Sequence, residues 1–331
     1  MYDSRIIRIP TDAASHLVCI TAAIVMIAIA VFLKSPEVAP YNGIIQIPSV
    51  TEWLSSPIAI IINTVAIISL VLLISTITNR FGLTSSYSVL PTMFFLILQC
   101  SNPMTGGLLQ IGTIAAIAIM LCTNTLFENY QKPRIERSVF MMTLLLATVS
   151  LFWYEFLLYI PIMWIGLAQM HTLKIKTLFA SLIAIATIAW IYTGAVYIDL
   201  LPTPINPFHG TEFNINIPDY ANLPSTTIFT IISTIPAITI LFVLKLSTLY
   251  SEMQDKISVR NYNMYINTVA FLTFIFMIIN PSQILNFLPI FNCVAAIEAA
   301  RYFNTIRTKS KLRFLYFITA IYLVLYIIWI L

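Results

Sequence analysis

A glutamate interrupts the apolar stretch "SLFWYEFLLYIPIMWIGL" at residues 150–167. Glu155 could act as a general acid if it lined an outward cavity within a membrane, where ionisable groups are usually functional. The alternative is a turn at the membrane surface. Trp153 and Tyr154 beside it are residue types that anchor at the headgroup level. The apolar runs on both sides are short for a span, which favours the turn and lets the carboxylate reach water.

Two further acids are candidates for catalysis. Glu37 lies in the segment 35–56 and Asp199 begins the segment 199–226, and neither segment contains lysine or arginine. We interpret both segments as long external loops. Together with Glu155, these acids form the candidate catalytic set.

The first of these loops also carries a membrane-anchor pattern. Ser49 and Glu52 have the spacing of a helix capping box, which gives Glu52 a structural role. The following Trp53 is predicted to anchor a short helix at the membrane interface.

One acid lies inside an apolar run. Glu298 is three residues before Arg301, so the two side chains share a helical face and could form an ion pair at the headgroup level. A proton relay is the alternative for a carboxylate in a membrane span.

The composition excludes a soluble protein. Of 331 residues, 59% are hydrophobic and 9% are charged, too few to cover a surface in water. The fold class predicted is all-α, a single polytopic transmembrane bundle over residues 1–331 with about 11 spans (10–12). The predicted spans are 16–34, 57–78, 86–100, 107–127, 139–153, 156–171, 178–198, 227–247, 263–280, 283–300 and 314–331.

Positive charge gives this bundle an orientation. With a cytoplasmic N-terminus and an external C-terminus, all but one of the 17 basic residues fall on cytoplasmic segments. The exception is Lys34, whose long stem can reach the interface from a helix end. This asymmetry is the positive-inside pattern, which a wrong number of spans would have scrambled.

Two hairpins align without gaps. "EFLLYIPIMW" at 155–164 matches "QILNFLPIFN" at 283–292 and pairs Pro161 with Pro289. The match predicts a parallel repeat of 128–198 and 256–331, unless two apolar hairpins have converged by chance.

The central part of the chain resembles a family of uncharacterised polytopic inner-membrane proteins of Bacteroidota. The features shared are Ser150–Phe152, Pro161 with Trp164, Lys174 with Lys176, and Phe179–Ser181. This resemblance implies the bacterial inner (cytoplasmic) membrane and no assigned activity.

The function predicted is therefore a broad one. No nucleotide, metalloprotease or serine-hydrolase motif is present, so no cofactor and no metal are expected, and the scattered net charge of +4 does not suggest nucleic acid. We expect a transporter, a flippase or an assembly partner, whose partners are the lipid bilayer and either a lipid-linked glycan or an envelope protein. The alternative is a glycosyltransferase-like enzyme that uses a polyprenyl-phosphate-linked donor at the external face.

Overall fold

The computed structural model describes residues 13–33, 57–84, 88–198, 228–239, 241, 256–304 and 309–330, and the regular structure within them is entirely helical. The helices are α1 (Ala13–Leu33), α2 (Pro57–Arg80), α3 (Leu90–Cys100), α4 (Pro103–Gly107), α5 (Ile111–Glu128), α6 (Glu136–Ser150), α7 (Tyr159–Gln169), α8 (Ile175–Tyr197), α9 (Ile228–Thr239), α10 (Ile257–Ile279), α11 (Ile284–Asn304) and α12 (Lys309–Ile330), with short 3₁₀ helices at Tyr154–Leu158 and Pro281–Gln283.

Five of these helical segments are long and apolar enough to cross a membrane: Ile58–Arg80, Ile111–Glu128, Ile175–Tyr197, Ile257–Ile279 and Pro281–Phe303. Helices occupy most of the described residues of the predicted spans, which confirms the all-α class. Several helices are shorter than a bilayer, among them α3 and α7 with 11 residues each. The predicted count of eleven spans and the orientation of the termini stay predictions.

Helix α11 is the centre of the bundle. Residues 284–300 of this helix are all buried, and α3, α5 and α10 pack against it. The side chains of Ala295, Ala296, Ala299 and Ala300 are small, so neighbouring helices approach closely on several sides. A helix that is apolar all round is stable only when it is surrounded in this way or by lipid.

Basic segments gather at one end of the bundle, which we call the basic end. Arg80 at the end of α2 forms an ion pair with Glu128 at the end of α5. Lys174 Nζ donates a hydrogen bond to the carbonyl oxygen of Pro133 at 3.2 Å. The ring of Tyr262 near the start of α10 stacks on the ring of Phe127 in the last turn of α5, with the ring centroids 4.4 Å apart. Helix α10 therefore also starts at this end. The clustering agrees with the charge pattern in the sequence.

The opposite end, which we call the turn end, contains the turns of two hairpins. One turn joins α6 to α7 and the other joins α10 to α11. They touch through a hydrogen bond from Asn280 Nδ2 to Glu155 Oε1 at 2.9 Å. Both turns include a 3₁₀ helix at the positions that the sequence alignment pairs, Glu155 and Gln283. The repeat itself stays a prediction.

Candidate functional site

A buried interruption between two helices lies at residues 101–110, which we call the broken segment. Helix α3 stops at Cys100, and Asn102 then adopts an extended conformation, as expected for a residue before proline. Pro103 starts the five-residue helix α4, which ends in two glycines. Every residue of the broken segment is buried. A short turn exposed at the membrane surface would suit the sequence "SNPMTGG" equally well, but its burial places it inside the bundle.

The depth of the broken segment follows from its contact with α11. An 11-residue helix is about 16 Å long, roughly half the thickness of the hydrocarbon core. At the end of α3, Gln99 Oε1 accepts a hydrogen bond at 3.0 Å from Asn292 Nδ2, near the middle of α11. At the start of α5, the backbone N–H of Gly112 donates to Asn286 Oδ1 at 3.3 Å, close to the first turn of α11. The broken segment therefore runs from mid-depth to the turn end.

Side-chain amides satisfy the backbone of the broken segment. Asn63 Nδ2 donates to the carbonyl oxygen of Gly106 at 2.9 Å, and Gln99 Nε2 donates to that of Thr105 at 3.2 Å. Gln110 Nε2 donates to the carbonyl oxygen of Met104 at 3.1 Å. These bonds are needed because a buried carbonyl that has lost its helical partner has no water available within a membrane.

These amides form one buried group. Asn286 Nδ2 donates to Gln283 Oε1 at 2.7 Å, which extends the group to the turn after α10. We call the set the amide layer, and its members are Asn63, Gln99, Gln110, Gln283, Asn286 and Asn292, all of them at most 2% exposed. The amide layer is uncharged, so it can hydrogen-bond polar groups within the membrane without the high cost of burying a charge.

Packing at the amide layer leaves no spare volume beside Gly112. A Cβ atom at this position would lie 2.0 Å from the carbonyl oxygen of Asn286. The backbones of α5 and α11 are therefore in direct contact, which only a glycine permits here.

Glu155 is buried at the turn end rather than exposed to water. Its side chain is 6% exposed, and Oε1 accepts the Asn280 hydrogen bond described above. Oε2 accepts a hydrogen bond from the indole N–H of Trp153. Both carboxylate oxygens thus accept from N–H donors, an arrangement that suits the ionised form. Glu155 lies in a turn, as predicted, but the prediction that its carboxylate reaches water is wrong. The carboxylate points into the protein and links two hairpins by a hydrogen bond.

The two aromatic residues next to Glu155 have different environments. Trp153 is fully buried, and its ring packs 4.7 Å from that of Phe287. The prediction that Trp153 anchors the chain at the membrane interface is therefore wrong, because an anchor has to face the headgroups. Tyr154 is 41% exposed, as an anchor requires. Partial burial and the neighbouring Glu155 carboxylate raise the pKa of the Tyr154 phenol above its ordinary value.

Of the other predicted site residues, the structure describes Glu298 and Arg301, which lie elsewhere on α11. Glu37, Trp53 and Asp199 lie outside the described residues. Glu298 is buried on α11 and Arg301 is half-buried one turn further on, in the half of the helix nearer the basic end. Their ion pair stays a prediction.

Sequence reasoning identified part of the amide layer. Asn63, Gln110 and Asn292 are polar positions within predicted spans, where hydrogen bonds between helices are expected. Asn63 and Asn292 do bond to other elements, and Gln110 donates to Met104 within the broken segment. Gln99, Gln283 and Asn286 are not identified in this way. The available signal was local: asparagine–proline and a glycine pair after a largely apolar stretch of only eleven residues indicate a broken helix.

Among the described residues, no group of three histidine, cysteine or acidic side chains could hold a metal ion. The apolar helices of membrane length and the buried amide layer define an all-helical membrane protein. Comparisons with models of known families, with curated proteins and with solved structures found no match.

Proposed function

We propose that this chain is a multi-pass transporter or flippase of the bacterial inner membrane that moves a lipid-linked molecule, such as a lipid-linked glycan. The amide layer around the broken segment is the observation that carries this proposal. Broken helices with freed backbone groups are a common means by which transporters build a substrate path inside a bundle.

The neutral chemistry of the amide layer suits a polar headgroup that crosses hydrocarbon. Amides can exchange hydrogen bonds with hydroxyl, amide or phosphate groups, because each amide is both a donor and an acceptor. In this conformation the side chains of the amide layer hydrogen-bond the broken segment and one another, so passage of a headgroup requires the segment to move. Gly106 and Gly107 give the backbone the freedom to do so.

The proposed topology has about eleven spans, with the basic end and the N-terminus in the cytoplasm and the turn end outside. The clustering of Arg80, residues 131–137 and the start of α10 at one end supports this orientation. On this topology the Glu155 turn faces the external half of the membrane. An association with the Bacteroidota family remains part of the proposal.

The environment of Glu155 favours transport over glycosyl transfer. A general acid needs a proton path to the substrate, whereas both oxygens of Glu155 are engaged with Trp153 and Asn280. The variants Glu37→Gln, Glu155→Gln and Asp199→Asn should each complement a deletion strain. Loss of complementation by any of them at unchanged protein level would favour the enzyme.

A vesicle assay tests the proposal directly. Purified protein is reconstituted into phosphatidylcholine vesicles with a trace of a fluorescent polyprenyl phosphate or a fluorescent phospholipid, and dithionite then quenches the probe in the outer leaflet. We expect the protein to make probe from the inner leaflet accessible to dithionite. Equal quenching in protein-free vesicles with both probes would overturn the proposal.

Two asparagine variants connect this activity to the site. Asn292→Leu removes the donor to Gln99 from the middle of α11 and should slow probe movement strongly. Asn267→Leu makes the same change at a half-exposed position of α10 and should have little effect. Equal rates in the two folded variants would exclude the amide layer from the path.

A comparison of envelope lipids in a deletion strain and its parent tests the role in cells. Accumulation of a lipid-linked intermediate is the expected result. An unchanged profile together with copurification of an envelope protein would favour an assembly partner instead.

A further inference from the structure

An apolar cavity of about 170 Å³ lies between α9, α10 and the start of α11. Thr234, Met277, Pro281 and Ile284 form its buried floor, while Ile235 and Ile278 are half exposed at its rim. The cavity therefore opens sideways between α9 and α10, towards the hydrocarbon around the bundle.

The lining that the structure describes is almost entirely apolar. Thr234 is the one residue with a polar side chain among these described residues, and its hydroxyl donates to the carbonyl oxygen of Ile231 at 2.7 Å. A dry cavity of this size suits a hydrocarbon ligand, since engineered apolar cavities of about 150 Å³ bind benzene and exclude water.

The occupant follows from the surroundings of the opening. The atoms that line an empty apolar cavity lack dispersion contacts on one side, so filling the cavity is favourable. The molecules that can enter sideways from the surrounding bilayer are lipids. The cavity ends at the turn after α10, where Ser282 is exposed and Asn280 is half-buried. An apolar slot that ends beside polar side chains matches an amphiphile with its chain inside and its headgroup at the turn end.

We infer that this cavity binds one acyl chain of a bilayer phospholipid, with the headgroup beside Asn280 and Ser282. Binding here is separate from the proposed transport, because a lipid can occupy the site without being moved. Failure of the vesicle assay would therefore leave this inference standing.

Photolabelling tests the site. The full chain is reconstituted into phosphatidylcholine vesicles that contain a phosphatidylcholine with a diazirine in its acyl chain, and labelled residues are mapped by mass spectrometry. We expect label at Thr234, Met277 and Ile284 on the floor of the cavity. The exposed Ile232 on the same helix, which does not line the cavity, reports ordinary contact with bulk lipid.

Filling the cavity supplies the matched comparison. Ile231→Trp places a larger side chain in the cavity and should lower labelling of its floor severalfold, whereas Ile232→Trp should not. Ile238→Phe fills the same cavity from another position if the first variant fails to fold. Uniform labelling that the filled variants do not change would overturn the inference.

Discussion

Replacing Asn280 by aspartate would place a second carboxylate against Glu155. The amide nitrogen of Asn280 lies 2.9 Å from Glu155 Oε1, so Asn280→Asp exchanges a hydrogen bond for a contact between like charges. At an effective dielectric constant suited to proteins, this repulsion is on the order of 4 kcal/mol. Uptake of one proton by the pair relieves it, so the loss of stability should be smaller in acid.

Glu155→Gln is the natural partner of this change. Alone it should cost about 1 kcal/mol, because Asn280 can turn its amide oxygen towards the new NH₂ group and only the charge assistance is lost. Combined with Asn280→Asp, it restores a donor facing a carboxylate. The double variant should therefore recover most of the stability that Asn280→Asp loses.

The assay is unfolding in mixed micelles with increasing SDS, followed by tryptophan fluorescence, for the parent, both single variants and the double variant. We expect the double variant to be considerably more stable than the sum of the two single effects on the free energy of unfolding would give. Additive effects, or an Asn280→Asp variant as stable as the parent, would refute the hydrogen bond and the tie between the two hairpins.

Two further predictions concern packing and topology. Gly112→Ala should destabilise the protein by about 3 kcal/mol or prevent its folding, since the new methyl group would lie 2.0 Å from the backbone of Asn286. Gly194→Ala, with nothing within 4 Å of the new atom, should be neutral or slightly stabilising in thermal unfolding; equal effects would contradict the close contact. For topology, a cysteine at Ser282 should react with an impermeant maleimide added outside spheroplasts, whereas one at Lys132 should react only after lysis. The reverse pattern would invert the proposed orientation.

Several local features were predictable from the sequence. The apolar composition identifies the bilayer as solvent, and α2 occupies Pro57–Arg80 where a span at 57–78 was predicted. Proline and glycine signals mark the broken segment, because these residues act on their own backbone. The gathering of basic residues at one end was also predictable, since each charge has to leave the hydrocarbon wherever the helices pack.

The environment of Glu155 and Trp153 depended on the tertiary structure. Aromatic residues beside an acid are equally compatible with a headgroup belt and with a buried turn, and the contacts of Asn280 and Phe287 from another hairpin decide between them. The depth of the broken segment likewise depends on its bonds to α11.

What the sequence by itself determined is therefore the solvent, the helices and the charged end, because each follows from the free energy of a residue in hydrocarbon or water. Only the tertiary structure decided which helix is central and which polar groups meet. In a soluble protein the apolar face of a helix indicates the core, but here side chains that face lipid and side chains that face protein are both apolar. Helix α11 is thus buried through close contacts such as that of Gly112 with Asn286, which no pattern of hydrophobicity encodes.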